Sequence, residues 1–277
     1  MVNVLIPTDF SENSWNAFQY AVRFFENEPV NFYLAHVHLS NQVDSEDVVP
    51  HGVVMAHRKS DTISKRLTEM IESLKNLFPN ISGEIRPVVE KGLFIDGIRK
   101  LVDQHKINFI VMGTKGASGL KEVTIGSKTG DLITRVKCPT LVIPENAHYT
   151  SPKEIVFPTD FNIYFKNKIL LTLAEIMAIH DSAIRVLNVN KEDTRLNSIQ
   201  ENNKDILEDF LTDKPSSFHF ITHNSLEKVL PDFIDAMKID MIAMVAKNIN
   251  FFERLLFQPP VKKISYHTEI PFLVLHE

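Results

Sequence analysis

Short apolar runs rich in β-branched residues alternate along this chain with longer segments whose apolar residues recur at three- and four-residue spacing. The runs at 2–6, 30–38, 84–89, 109–112 and 140–143 predict strands. The segments 14–25, 63–78, 94–105 and 126–136 predict helices, and Ile63, Leu67, Met70, Ile71 and Leu74 form one such stripe. Strand and helix in strict alternation imply crossover connections, hence a mainly parallel sheet covered on both faces. The same order then returns, with strands at 154–157, 184–189, 217–222, 241–245 and 272–275 and helices at 169–179, 206–211 and 226–237.

The return is a duplication. Val4-Leu5-Ile6-Pro7-Thr8-Asp9-Phe10 reappears as Ile155-Val156-Phe157-Pro158-Thr159-Asp160-Phe161, and Lys106-Ile107-Asn108-Phe109-Ile110 as Lys238-Ile239-Asp240-Met241-Ile242. From there the copies run without a gap until Cys138-Pro139-Thr140-Leu141-Val142-Ile143 meets Ile270-Pro271-Phe272-Leu273-Val274-Leu275. Two domains are expected, 1–146 and 151–277, each large enough for its own core, with a short polar linker around 146–152. The strands at 140–143 and 272–275 are apolar on both faces and would make hazardous free edges. They are expected to pair the halves into an intramolecular pseudo-dimer.

The copies differ in their glycines. All nine (52, 83, 92, 97, 113, 116, 119, 126 and 130) lie in the first copy. In an open parallel sheet, ligands sit beyond the carboxyl ends of the strands. Two motifs fall there: Pro7-Thr8-Asp9-Phe10-Ser11 after the first strand, and Gly113-Thr114-Lys115-Gly116 after the fourth. Gly113 and Gly116 would let backbone approach a ligand. Gly126-Ser127-Lys128-Thr129 then opens a helix whose free amides and positive dipole end suit phosphate, with hydroxyls from Ser127 and Thr129 and a charge from Lys128. The spacing is not that of a Walker A loop. In the second copy Gly113, Gly116, Gly126, Ser127 and Lys128 become Val245, Asn248, Gln258, Pro259 and Pro260, which removes amide donors from the cradle.

Pro-Thr-Asp-Phe-Ser after a hydrophobic strand, Gly-x2-Gly-x9-Gly-Ser, and the closing Cys-Pro-x-Leu-Val-Ile together resemble the universal stress protein family, in its tandem form. The resemblance implies an adenine-nucleotide α-hydrolase-like sheet of order 3-2-1-4-5 in each half, and ATP binding, with or without Mg2+, where the glycines are kept. By position it implies that Pro7, Thr8 and Asp9 border the adenosine and that Val37 lines the base pocket. Met112, Gly113 and Gly116 would cover the ribose and adenine side, and Gly126, Ser127, Lys128 and Thr129 would hold the phosphates. Lys128 departs from the small or apolar residue usual in the family. Asp9 has a second reading as a helix cap, since Asp160 persists where the glycines do not.

Composition narrows the rest. With 44% hydrophobic and 23% charged residues and a net charge of −5, the chain has no basic block for nucleic acid. No apolar run approaches the ~20 residues of a membrane span. The start of the chain shows no secretion signal, and the single cysteine, Cys138, fits a reducing cytoplasm and reads as packing. His36 and His38 share a strand face but lack a third metal ligand, and Ser11 and Ser14 read as helix-start residues. Residues 41–50 read as an exposed loop or a flap. Met55, His57 and Arg58 read as a solvated or packing face, and 251–257 as a plug over the vacated second pocket or part of an interface. The expected function is a stress-response protein holding ATP or a related adenine nucleotide in its first domain. Slow hydrolysis of that nucleotide, or a protein-interaction module without it, are the alternatives, and association of pseudo-dimers into homodimers stays open.

Overall fold

The computed structural model describes residues 1–39, 53–114, 127–162, 167–191, 195–246 and 269–276, the side chains of 53–60 and 167 excepted. In the first half the order is β1 (Val2–Pro7), α1 (Glu12–Phe24), β2 (Val30–His38), α2 (Val53–Leu77), β3 (Ile85–Lys91), α3 (Phe94–Gln104), β4 (Phe109–Gly113), α4 (Ser127–Arg135) and β5 (Thr140–Ile143). The second half gives β6 (Glu154–Pro158), α5 (Asn167–His180), β7 (Ala183–Asn190), α6 (Ser198–Leu211), β8 (Ser216–Thr222), α7 (Leu226–Met237), β9 (Met241–Val245) and β10 (Phe272–Leu275).

All of these strands join one ten-stranded sheet in the order β3-β2-β1-β4-β5-β10-β9-β6-β7-β8. Within each half every pairing is parallel, and the order is 3-2-1-4-5 read from the outer edge. The two halves meet where β5 pairs antiparallel with β10, with Val142 opposite Phe272, Leu141 opposite Leu273 and Thr140 opposite Val274. Every residue of both strands is buried, so neither apolar edge faces water.

Strand alternation sorts the core by face. Val4, Ile6, Phe32 and Leu34 pack under α1 and α2, while Leu5, Tyr33 and Ala35 pack under α3 and α4. The first of these cores continues without a break into the second half through Ile155, Phe157 and the apolar face of α5. Tyr20 of α1 meets Tyr149 edge-on at 5.2 Å, and Phe24 meets His180 of α5 at 4.2 Å.

Two helices start earlier than their apolar stripes predict. Helix α2 begins at Val53 rather than 63, and α6 at Ser198 rather than 206. In α6 the cause is polar: Asn197 and Gln200 form a reciprocal capping box that starts the helix before any apolar residue is needed. Among the described residues no helix is long and apolar enough to cross a membrane.

Candidate functional site

The turn after β1 is built from its own side chains. Thr8 Oγ1 accepts from the Phe10 amide at 3.0 Å, and Asp9 Oδ1 accepts from the Ser11 amide at 3.1 Å and its hydroxyl at 2.5 Å. Ser11, thus held, is the N-cap of α1 and accepts from the Ser14 amide at 3.2 Å. Asp9 therefore supports the cap without being the cap. Phe10 sits at φ 65°, a left-handed conformation that a bulky residue adopts only when its surroundings impose it. The second copy repeats the turn: Phe161 has φ 56°, Thr159 Oγ1 accepts from its amide at 3.0 Å, and Asp160 Oδ1 accepts from the Asn162 amide at 3.0 Å. A turn kept in both copies, with its carboxylate engaged locally in both, has a structural role independent of any ligand.

Position β2 shows the same economy of design. His36 Nδ1 lies 2.7 Å from the Thr8 carbonyl, and in the second copy Asn188 Nδ2 donates to the Thr159 carbonyl at 2.8 Å. The His36 ring lies 4.7 Å from Phe10, over whose ring the Arg66 guanidinium stands at 3.9 Å. Burial first, then the neighbouring His38, Lys128 and Arg66, hold the His36 pKa below its usual value, against the opposing pull of the Thr8 carbonyl. This engagement gives His36 a place in the fold without any metal.

At the end of β4, the space a side chain on Gly113 would fill is taken. A Cβ there would lie 1.7 Å from Asn13 Oδ1. Asn13 is 7% exposed, and neither of its side-chain polar atoms has a hydrogen-bond partner. The glycine thus serves the packing of α1 against β4, a reason that the expectation of close ligand approach did not include. Thr129, expected to offer its hydroxyl to phosphate, is 1% exposed and donates that hydroxyl to the Gly113 carbonyl at 2.9 Å. It clasps α4 to β4, and its one proton is engaged.

The remaining expected residues surround this corner. Pro7 ends β1 in register with Ala35. Val37, on the α3 side, packs so close to Gly97 that a Cβ there would approach it to 2.8 Å, and Met112 is half-buried against the same core. Ser127 and Lys128 are exposed in the first turn of α4, and the Lys128 ammonium stands 5.6 Å from the centroid of Phe94. Gly116, Gly126, Asn248, the segments 41–50 and 251–260, and the side chains of Met55, His57 and Arg58 lie outside the described residues. Asn13, Arg66 and Phe94 were not singled out from sequence. The one available signal was for Asn13: the duplication sets Tyr164 against it and Val245 against Gly113, so the pair changes together.

Val245, at the Gly113 position, is the last residue of β9 and is buried. Cys138 is buried too, its thiol pushed up to about 12 by burial, which leaves it unreactive near neutrality.

The model of the universal stress protein family matches residues 1–144. The universal stress protein MJ0577 of Methanocaldococcus jannaschii is 26% identical over 150 residues, covering 50% of this chain and 93% of the relative. MJ0531, a universal stress protein of the same organism, is 26% identical over 144 residues, covering 50% of this chain and 80% of its own. Over nearly the full length, a universal stress protein from Archaeoglobus fulgidus aligns with a TM-score of 0.67 at 15% identity, covering 99% of this chain and 98% of its own. A functionally unknown protein, PA1789 of Pseudomonas aeruginosa, covers 99% of this chain and 92% of its own with a TM-score of 0.55 at 11% identity. These two speak to the fold alone. With its motifs, its sheet order and a family match over more than half its length, the chain belongs to the universal stress protein family.

Proposed function

We propose that the first half binds an adenine nucleotide, ATP foremost, at the carboxyl ends of β1 and β4, and that the second half serves as its scaffold. The observation that carries this is the asymmetry between copies that otherwise share a turn and a sheet order. The first presents an exposed Ser127 and Lys128 at a helix start behind a glycine-rich loop, while the second has Val245, Gln258, Pro259 and Pro260 at the matching positions. On this reading Pro7, Thr8, Asp9, Val37, Met112 and Gly116 frame the nucleoside, and Gly126, Ser127 and Lys128 hold the phosphates. Mg2+ would be held through the phosphates, since among the described residues no three metal-ligating side chains converge. A cradle of this kind binds a triphosphate without stabilising the transition state of its hydrolysis. The proposal includes two domains, 1–146 and 151–277, acting as an internal pseudo-dimer in the cytoplasm.

Titration calorimetry of the full chain with ATP tests it, with mass spectrometry of small molecules released from freshly purified protein alongside. A stoichiometry near one is expected. Two equivalent sites, or no binding of any adenine nucleotide, would overturn the assignment.

A further inference from the structure

The ten-stranded sheet ends on two edge strands, β3 and β8, and they are guarded unequally. Each pairs with its inner neighbour in the same register, Ile85 with Phe32 and Ser216 with Ile184, and the Phe32 and Ile184 amides donate to the Glu84 and Pro215 carbonyls. At the far ends the Gly92 and His223 amides donate back to the His38 and Asn190 carbonyls. That parity fixes which backbone groups point outward: those of Ile85, Pro87, Val89 and Lys91 in β3, and those of Ser216, Phe218, Phe220 and Thr222 in β8. Pro87 thus stands where an N–H would face outward, and Arg86, Glu90 and Lys91 add charge. Both devices stop an edge from recruiting another strand. In β8 the positions matching Pro87, Arg86, Glu90 and Lys91 hold Phe218, Ser217, Ile221 and Thr222. No proline, carboxylate, lysine or arginine remains along its seven residues. Phe220 is 53% exposed on that edge, on the same face as the half-buried Phe218.

We propose that β8 pairs antiparallel with β8 of a second copy of this chain across a two-fold axis, in the register that sets Phe218 opposite Phe220 and Ser216 opposite Thr222. The outward N–H and C=O groups of these residues then exchange hydrogen bonds, and His219 faces its own counterpart at the non-bonded position. Each exposed Phe220 ring comes to lie against the partner's Phe218, an aromatic cross-strand pair. A second copy suits this edge because the strand has no charge to repel its like, and one two-fold operation covers both edges at once. The chain already closes two apolar edges in this way, where β5 pairs antiparallel with β10. The pairing needs no nucleotide. One strand pair buries little area, so the dimer is reversible, with a dissociation constant on the order of 10 to 100 μM.

Sedimentation equilibrium of the full chain across that concentration range measures the dimer. Wild type is expected to pass from monomer to dimer, and Phe220→Lys, which replaces the exposed ring with an edge-guarding charge, should weaken dimerisation by about tenfold or more. Phe218→Pro installs the residue that β3 carries at this register and should weaken it likewise, by removing an outward donor from each chain. Phe220→Lys decides alone if the proline variant does not fold, since that side chain is exposed. Under mild oxidation His219→Cys should give a disulfide-linked dimer, because residues facing each other at a non-bonded position stand about 4.5 Å apart at Cα. The buried Cys138 stays outside that reaction. A wild type that stays monomeric, a dimer undiminished in folded Phe220→Lys, or a dimer in which His219→Cys does not cross-link overturns the proposal.

Discussion

Gly113 and Asn13 occupy one volume between them: the amide oxygen of Asn13 lies 1.7 Å from where a Cβ on Gly113 would stand. Helix α1 and strand β4 can approach this closely only because one partner lacks a side chain. Gly113→Ala is therefore expected to overpack the site and cost about 1 to 3 kcal/mol in urea denaturation. Asn13→Ala removes an amide that has no partner, so adding it to Gly113→Ala should recover much of that loss. Simple additivity of the two substitutions would show that the contact is not what excludes the methyl group.

Thr129 offers a second, independent measurement. Thr129→Val keeps the shape but leaves the Gly113 carbonyl without the hydroxyl now bonded to it at 2.9 Å. A loss of about 1 to 2 kcal/mol is expected, the range for an acceptor abandoned inside a protein. Should the valine variant instead keep full stability and lose ATP affinity, the hydroxyl belongs to the ligand.

Lys128 separates the phosphate end of the proposed ligand from its nucleoside end. Its ammonium is exposed and rests near Phe94, a weak contact that a polyphosphate could displace. Lys128→Ala should weaken ATP by about 1 to 2 kcal/mol, leave AMP nearly unchanged, and abolish part of the salt dependence of ATP binding. Equal ATP affinity in mutant and wild type would leave the backbone alone as the phosphate cradle.

Acid should loosen the contact between the halves. His180, against Phe24, and His276, just past β10, are each pushed down to about 4, by burial first and then by Lys153 for His180 and by Lys168 and Lys137 for His276. An unfolded histidine takes up its proton near 6.5. Between that pH and about 4 the unfolded chain binds protons that the folded chain refuses, so stability is intact above 6.5 and is lost as pH falls toward 4. Urea midpoints at pH 7.5 and 4.5 measure the loss, and His180→Gln should shrink it. A parallel pH dependence in the variant would place the acid sensitivity elsewhere.

Much of the fold was legible because its signals are periodic. Each strand run read from the sequence overlaps a strand in the structure, and the pairing of β5 with β10 follows from two short strands that have no polar face. The early turns of α2 and α6 were missed because polar turns carry no stripe, although Asn197 and Gln200 spelled a cap. At the carboxyl ends of β1 and β4, sequence named candidate residues but not how labour is divided among them. Thr129 reads as a phosphate donor from its neighbours Ser127 and Lys128, yet helical geometry turns it inward to Gly113. Asn13 was missed because its meaning depends on a glycine a hundred positions away, and only the paired change to Tyr164 and Val245 in the second copy hints at it.

The antiparallel seam also sets the polarity of the whole sheet. Strands β1 to β5 run one way and β6 to β10 the other, so the carboxyl ends of the two halves open at opposite rims. The turn at Asp9 and its twin at Asp160 face away from each other across the full height of the strands. A body docked over one rim leaves the other unobstructed, and the two rims are joined through the backbone ladder that pairs Leu141 with Leu273 and through the core that runs on beneath α1 and α5.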